Sequence, residues 1–99
     1  MHIDLQDKGY TVAGAKVTGV GMIEGGDLAV YWEADSDADA VMEAFYWDNT
    51  FTDTLKQIIR DAGYSDAAAD DICTSEWGMQ DEGRASYDAY TLGEEIAAA

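Results

Sequence analysis

The sequence predicts an α+β fold in which an antiparallel β-sheet of about four strands has two to three helices packed on one face. Apolar residues recur at every second position in the first and last thirds of the chain, which is the period of a half-buried strand. In the middle third they recur with the helical period instead. The order ββαααββ favours antiparallel pairing. No linker or repeat divides the chain, so we expect residues 1–99 to form a single acidic domain.

The first hairpin is predicted at residues 15–33. Its second strand has Leu28, Val30 and Trp32 at alternate positions, as expected when one face of a strand is buried. Residues 24–27 lie between the strands and include adjacent glycines, whose freedom to adopt positive φ angles suits a tight turn. We therefore expect two neighbouring antiparallel strands in this part of the chain.

Two helices separated by a break at residues 47–49 are predicted next. Ser36 or Asp37 suits the N-cap of the first helix, because its side-chain oxygen can accept a hydrogen bond from a free backbone N–H. The second helix starts with the capping-box pattern of residues 50–53 and ends at Gly63, a residue type common just past a helix C-terminus. The apolar positions are Ala38, Val41, Met42 and Phe45 in the first helix and Phe51, Leu55, Ile58, Ile59 and Ala62 in the second.

The last third of the chain is predicted to begin with a short helix and then to return to β structure. Ser65 is a suitable N-cap for a helix at residues 66–72. A second hairpin is expected to follow, with strands at residues 75–80 and 84–92. We expect residues 94–99 to be a frayed end of the chain.

Two aromatic residues lie off the apolar face of the first helix. Tyr46 and Trp47 are close in sequence to Glu43 and Asp48, and exposed aromatic residues among charges are typical anchors of binding sites. The helix break favours the other outcome, in which Trp47 turns inward and closes the core. We therefore expect Trp47 to be buried.

Charge is the most informative property of the chain. It has 21 acidic and 5 basic residues and a formal net charge of -16, and residues 31–55 contain no basic residue at all. Such a chain repels nucleic acid and anionic membranes, and it attracts basic surfaces. Since 47% of the residues are hydrophobic, the chain is expected to fold, and its self-repulsion favours a monomer.

Motifs for catalysis, metal binding or targeting are weak. His2 is the only histidine, and Cys73 has no histidine or basic neighbour, so it is expected to be a small buried residue. The aspartates of residues 35–39 start like a calcium-binding loop, but the loop would need Gly and Glu where this chain has Ala40 and Tyr46. We expect no enzyme activity, cofactor or metal. No signal sequence or membrane span is recognisable, which predicts a cytoplasmic protein.

The spacing of the acidic side chains resembles that of phosphates along DNA. Side chains at i and i+2 of an extended segment lie roughly 6.6 Å apart, and helical pairs at i and i+4 lie about 5–6 Å apart. Both distances are comparable to the separation of neighbouring phosphates, which follow one another at about 3.4 Å of rise per strand. We predict that these acids imitate a phosphate backbone: Glu33, Asp35, Asp37, Asp39, Glu43, Asp48, Asp53, Asp66, Asp70 and Asp71.

In size and charge the chain resembles the small acidic proteins that phages encode against host defences, namely anti-restriction and anti-CRISPR proteins. The resemblance is one of class, and it assigns no family residues to this chain. It implies an inhibitor that blocks the basic DNA-binding surface of a host protein or ribonucleoprotein, such as a CRISPR surveillance complex, in the host cytoplasm. Two alternatives stay open. One is salt adaptation, because aspartate is twice as common as glutamate and lysine is rare; the other is an acidic docking module for a basic protein.

Overall fold

A computed structural model of the protein describes residues 2–22, 27–33, 38–47, 49–72, 77–81 and 83–98. Its strands are β1 (His2–Asp4), β2 (Thr11–Val12), β3 (Ala15–Met22), β4 (Asp27–Trp32), β5 (Gly78–Asp81) and β6 (Arg84–Asp88). Its helices are α1 (Ala38–Trp47), α2 (Asn49–Asp61), α3 (Asp66–Asp70) and α4 (Tyr90–Ala98). No helix within these ranges is both long enough and apolar enough to cross a membrane.

The strands form an antiparallel sheet in the order β1-β3-β4-β6-β5, and β2 pairs with the start of β3. The predicted α+β class is confirmed, with more strands than the sequence indicated. β1 and β2 are too short to show a period of two. A two-residue turn joins β2 to β3, and both Ala13 and Gly14 have positive φ there, at 51° and 83°. Because alanine seldom adopts that conformation, the sequence does not signal this turn.

The predicted first hairpin is confirmed by the pairing of β3 with β4. Met22 lies opposite Leu28, and Val20 lies opposite Val30. Residues 24–26 of the predicted turn lie outside the described residues.

The core lies between one face of the sheet and the helices. Val20, Val30 and Ala85 face one another across three neighbouring strands, are fully buried, and belong to the same core cluster as residues of α1, α2 and α4. Ala29 points to the other face of β4, where it is buried outside this cluster. The alternation predicted for β4 therefore separates the helix-covered face from the second face.

Phe45 of α1 is the centre of the aromatic packing. Its ring centroid lies 4.9 Å from that of Trp77, 5.6 Å from Phe51 and 6.0 Å from Trp32. Trp77 in turn packs on Tyr87 at 5.4 Å. These contacts join α1, α2 and two strands of the sheet to one cluster, and they fix the rotation of α1 about its axis.

The N-terminal end of α2 differs from the prediction. The helix begins at Asn49, so Thr50 lies inside the first turn and is not the N-cap of a capping box. The Thr54 hydroxyl donates a hydrogen bond to the Thr50 carbonyl at 3.0 Å, as expected within a helix. The predicted apolar face is confirmed for Phe51, Leu55, Ile58 and Ile59, which are buried.

The C-terminal end of α2 confirms the role predicted for Gly63. Its φ angle is 99°, its N–H donates to the Arg60 carbonyl at 2.9 Å, and the Tyr64 N–H donates to the Ile59 carbonyl at 3.3 Å. This pair of hydrogen bonds is a Schellman motif, which satisfies carbonyls left free at a helix end. Ala62, predicted on the apolar face, lies beyond the helix and is exposed.

Ser65 caps α3 as predicted, because its side chain accepts a hydrogen bond from the Ala68 N–H at 3.1 Å. The helix ends at Asp70, short of the predicted end, while Ile72 beyond it is buried in the core.

The end of the chain contradicts the prediction of a strand followed by a frayed terminus. β6 ends at Asp88, and α4 then occupies Tyr90–Ala98. Ala89 and Leu92 are fully buried and Ile96 packs partly on the core, so the apolar residues follow the helical spacing i, i+3, i+7. Tertiary contacts with the core stabilise a short helix that the glycine at its fourth position disfavours.

Candidate acidic interaction surface

The outward face of α1 is formed by every fourth residue. Val41 and Phe45 are almost fully buried, which places Asp39, Glu43 and Trp47 on the opposite side of the helix, where all are exposed. We call these three residues the α1 outer stripe. Asp39 lies in the first turn, where the helix dipole favours a negative charge, and no basic residue occupies the last turn.

Trp47 is exposed over 82% of its surface, so the expectation that it turns inward is wrong. The other tryptophans, Trp32 and Trp77, are exposed by only 4% and 1%. The reason is the rotation of α1, since Phe45 lies in the aromatic cluster and the Tyr46 hydroxyl donates to the Trp77 carbonyl at 2.6 Å. Burial of this indole ring would stabilise the folded protein by on the order of 3–5 kcal/mol, and the exposed ring does not contribute this free energy.

Two further predicted acids are exposed, Asp53 on α2 and Glu33 after β4, where strand alternation puts Glu33 on the sheet face away from the helices. Glu33 follows β4, and its N–H donates to the Lys16 carbonyl at 3.0 Å, so its backbone is held by the sheet. Asp53 is exposed on α2. Within the described part of the chain, neither these two nor Asp39 and Glu43 form an ion pair with a basic side chain.

The predicted acids of α3 are in a different situation. Arg60 of α2 forms ion pairs with Asp66 at 2.9 Å and with Asp70 at 2.7 Å. One guanidinium thus bridges the ends of α3 and offsets part of their negative charge. The sequence did not reveal this, because Arg60 is six and ten residues away from its partners. Hereafter Asp66 and Asp70 are called the Arg60-paired acids.

Asp71 has a structural position between α3 and the end of the chain. Its backbone carbonyl accepts a hydrogen bond from the Tyr87 hydroxyl, and its carboxylate accepts one from the Thr91 N–H at 3.5 Å. Its carboxylate is therefore engaged with the N-terminus of α4. The remaining predicted residues, Asp35, Asp37 and Asp48, lie outside the described residues, as does Cys73.

α4 provides two residues that the sequence analysis did not single out. The Ser65 hydroxyl and the Ser65 N–H, the latter at 3.1 Å, both donate to the Glu95 carboxylate, and these bonds hold the pKa of Glu95 below its ordinary range. Tyr90 is 68% exposed, and the hydrogen bond and negative charge of Glu94 raise the pKa of its phenol. Neither residue has a partner whose chemistry indicates catalysis.

A polar cleft lies on the second face of the sheet, the face that the helices do not cover. The His2 ring lies close to Gly19. A Cβ atom added at Gly19 would be 3.3 Å from a ring carbon of His2. Asp4 lines the same cleft and accepts the Gln6 N–H at 3.0 Å, which stabilises the turn after β1. Across the described ranges, no three histidine, cysteine, aspartate or glutamate residues are grouped closely enough to hold a metal ion.

No protein-family model matches the chain, and no curated protein or solved structure is significantly similar to it. Surface geometry and charge are therefore the properties of the molecule that bear on its function.

Proposed function

We propose that this protein is a non-enzymatic inhibitor that imitates the DNA phosphate backbone and occupies the basic DNA-binding surface of a host-defence protein or ribonucleoprotein. An anti-CRISPR or anti-restriction role in the host cytoplasm fits this proposal. The observation that supports it most is the set of exposed acids on α1 and the first half of α2 that have no basic partner among the described residues: Asp39, Glu43 and Asp53.

The regular elements of the fold favour recognition by a DNA-binding protein. Asp39 and Glu43 are one helical turn apart, so their side chains are about 5–6 Å from each other at Cβ. The backbone of α1 that carries them is held by helix hydrogen bonds, so little ordering of the chain is required on binding. Lysine and arginine side chains that normally contact phosphates would meet carboxylates at similar intervals, and steering by the net charge of -16 would accelerate encounter.

The Arg60-paired acids contribute less in this proposal. Their charge is partly offset before any partner arrives, and a partner would have to compete with a guanidinium that already contacts both carboxylates. The interaction surface therefore centres on the α1 side of the molecule.

A second candidate function is an acidic docking module for a basic protein that does not bind DNA at the same place. The observation that favours it is the exposure of Trp47, because an indole ring has no counterpart on a phosphate backbone. Competition distinguishes the two functions: a DNA mimic and duplex DNA exclude one another, whereas a docking module and DNA can bind together. Salt adaptation makes a separate prediction, namely loss of the fold at low salt.

The test is a displacement assay on purified CRISPR surveillance complexes and restriction enzymes with labelled duplex DNA. Wild-type protein is expected to release the DNA from at least one of them. The triple variant Asp39→Lys, Glu43→Lys, Asp53→Lys should lose this activity. The matched control reverses three exposed acids elsewhere, Asp7→Lys, Asp61→Lys, Glu94→Lys, and gives the same net charge.

Equal activity of the two triple variants would contradict a specific role of the α1 side. Observation of a ternary complex of this protein, its target and DNA would contradict DNA mimicry and favour the docking module. Unfolding of the wild-type protein in low salt, followed by circular dichroism, would favour salt adaptation instead.

A further inference from the structure

Trp47 is the most exposed of the large apolar side chains in the described part of the chain. Its exposed fraction is 82%, compared with 68% for Tyr90 and 36% for Tyr46. The Tyr46 hydroxyl already donates a hydrogen bond to the Trp77 carbonyl, so the side chain of Tyr46 is held against the core. Trp47 lies at the end of α1 with its indole ring open to solvent.

The fold prevents Trp47 from being absorbed into the core. Rotation of α1 that would turn its ring inward would remove Phe45 from its contacts with Trp77 and Phe51. It would also break the hydrogen bond of Tyr46. The outward direction of the indole ring is therefore a stable property of the folded protein, and a partner would meet it without prior rearrangement.

The neighbours of the ring determine which chemistry would cover it. Glu43 lies one turn before Trp47 on the same side of α1, and Asp39 lies one turn before Glu43. An electron-rich ring beside carboxylates attracts a cation that also has an apolar, planar face.

Arginine meets these requirements better than lysine. Its guanidinium is planar and weakly hydrated, so it stacks on an indole ring and still donates hydrogen bonds in its plane to a carboxylate. Lysine presents a compact, strongly hydrated ammonium that gains less from the ring. With Cβ atoms about 5–6 Å apart, Trp47 and Glu43 can contact one guanidinium from its face and from its edge.

We infer that Trp47 is the anchor of the interaction surface and that it stacks on an arginine side chain of a basic partner protein, with Glu43 pairing to that arginine. This inference rests on the proposed function and names the residue chemistry of the partner. Nucleic acid is excluded as the occupant by charge repulsion, and a second copy is disfavoured because each copy has a net charge of -16.

The test compares nona-arginine and nona-lysine peptides, which have the same charge and length. Their dissociation constants are measured by titration calorimetry at one fixed salt concentration, and the ratio of the two reports the preference for guanidinium. We expect the arginine peptide to bind the wild-type protein about two- to fivefold more tightly than it binds the Trp47→Leu variant. The affinity of the lysine peptide should differ little between the two proteins. Trp47→Tyr should retain part of the preference.

Tyr90→Leu is the matched control, because it removes an exposed aromatic side chain outside α1 and should leave the ratio unchanged. Acrylamide quenching gives a second readout. Since Trp32 and Trp77 are buried, quenching reports mainly on Trp47, and the arginine peptide should protect it. An unchanged peptide ratio in Trp47→Leu, or no protection from quenching, would overturn the inference.

The inference and the proposed function fail in different ways. One outcome is that Glu43→Lys weakens binding of both peptides more than Glu94→Lys does, while Trp47→Leu leaves the ratio of dissociation constants unchanged. The acidic surface would then be supported, and the inference that Trp47 stacks on an arginine would be wrong. If Trp47→Leu lowers the ratio but the wild-type protein displaces no DNA from its targets, the anchor remains and DNA mimicry is wrong.

Discussion

The two acidic regions of this protein, the α1 outer stripe and the Arg60-paired acids, differ in how their charges are held. Asp39 and Glu43 have no basic partner among the described residues, and the adjacent Trp47 is open to solvent. Asp66 and Asp70 share the guanidinium of Arg60. A count of acids along the sequence treats the two regions alike. The structure shows that a basic side chain already contacts the carboxylates of the second region, whereas none within the described ranges contacts those of the first.

The largest expected effect is on the packing that orients the stripe. Phe45→Ala removes the central ring of the aromatic cluster, and we expect it to lower the free energy of unfolding by about 3–5 kcal/mol. Trp47→Ala removes a larger ring that is mostly exposed, so it should change stability by about 0.5 kcal/mol or less. Urea denaturation of both variants measures the difference, and equal losses would show that the ring of Trp47 is also packed.

A direct comparison of the two regions uses neutral replacements. Asp39→Asn with Glu43→Gln removes two unpaired charges, and Asp66→Asn with Asp70→Asn removes two charges that Arg60 already offsets. We expect the first pair to weaken binding of nona-lysine by about five- to tenfold and the second by about twofold or less. Calorimetric titration at one salt concentration gives both values. A larger loss for the second pair would reverse the order of the two regions.

Removing the guanidinium should make the regions more alike. Arg60→Gln is expected to cost at most about 1 kcal/mol of stability, because its ion pairs are partly exposed. In this background, neutralising Asp66 and Asp70 should weaken nona-lysine binding more than it does in the presence of Arg60. A double-mutant cycle isolates this coupling. Additive effects would mean that Arg60 does not limit the availability of the two carboxylates.

The smallest effect concerns the contact between Glu95 and Ser65. Because these hydrogen bonds lower the pKa of Glu95 in the folded state, the ionised carboxylate stabilises the fold above its ordinary pKa of 4.5. This contribution is lost as the pH falls through the lower, folded-state pKa. Glu95→Gln should therefore have a lower Tm than the wild type at neutral pH, and the gap should close in acid. A gap that is constant from about pH 7 to about pH 3 would rule out this linkage.

Local sequence signals were reliable where one short segment contains all the determinants of its structure. The apolar face of α2, its termination at Gly63 and the Ser65 cap of α3 each depend on residues within a few positions of one another. The pairing of β3 with β4 follows for the same reason, since strands close in sequence pair readily. Such features were predicted correctly from periodicity and capping chemistry.

The failures share a different physical cause. The strand predicted through Leu92 is instead the helix α4, because buried contacts of that residue and Ile96 with the core outweigh a weak local preference. The sequence predicts that Trp47 is buried, but the ring contacts of Phe45 decide the rotation of α1 and leave Trp47 exposed. Both outcomes depend on contacts between segments that are distant in the sequence.

The sequence by itself determined the acidity, the α+β class and the amphipathic helices of this protein, because charge and periodicity are properties of the residues and their order. The tertiary structure alone decided which acids have a basic partner. Asp66 and Asp70 are paired because the packing of α2 against α3 brings Arg60 to them, while Glu43 and Trp47 are exposed because the buried face of α1 is occupied by Phe45. The net charge is a sum over the residues of the chain. Whether a given carboxylate has a basic partner depends instead on which side chains the fold brings within a few ångströms of it.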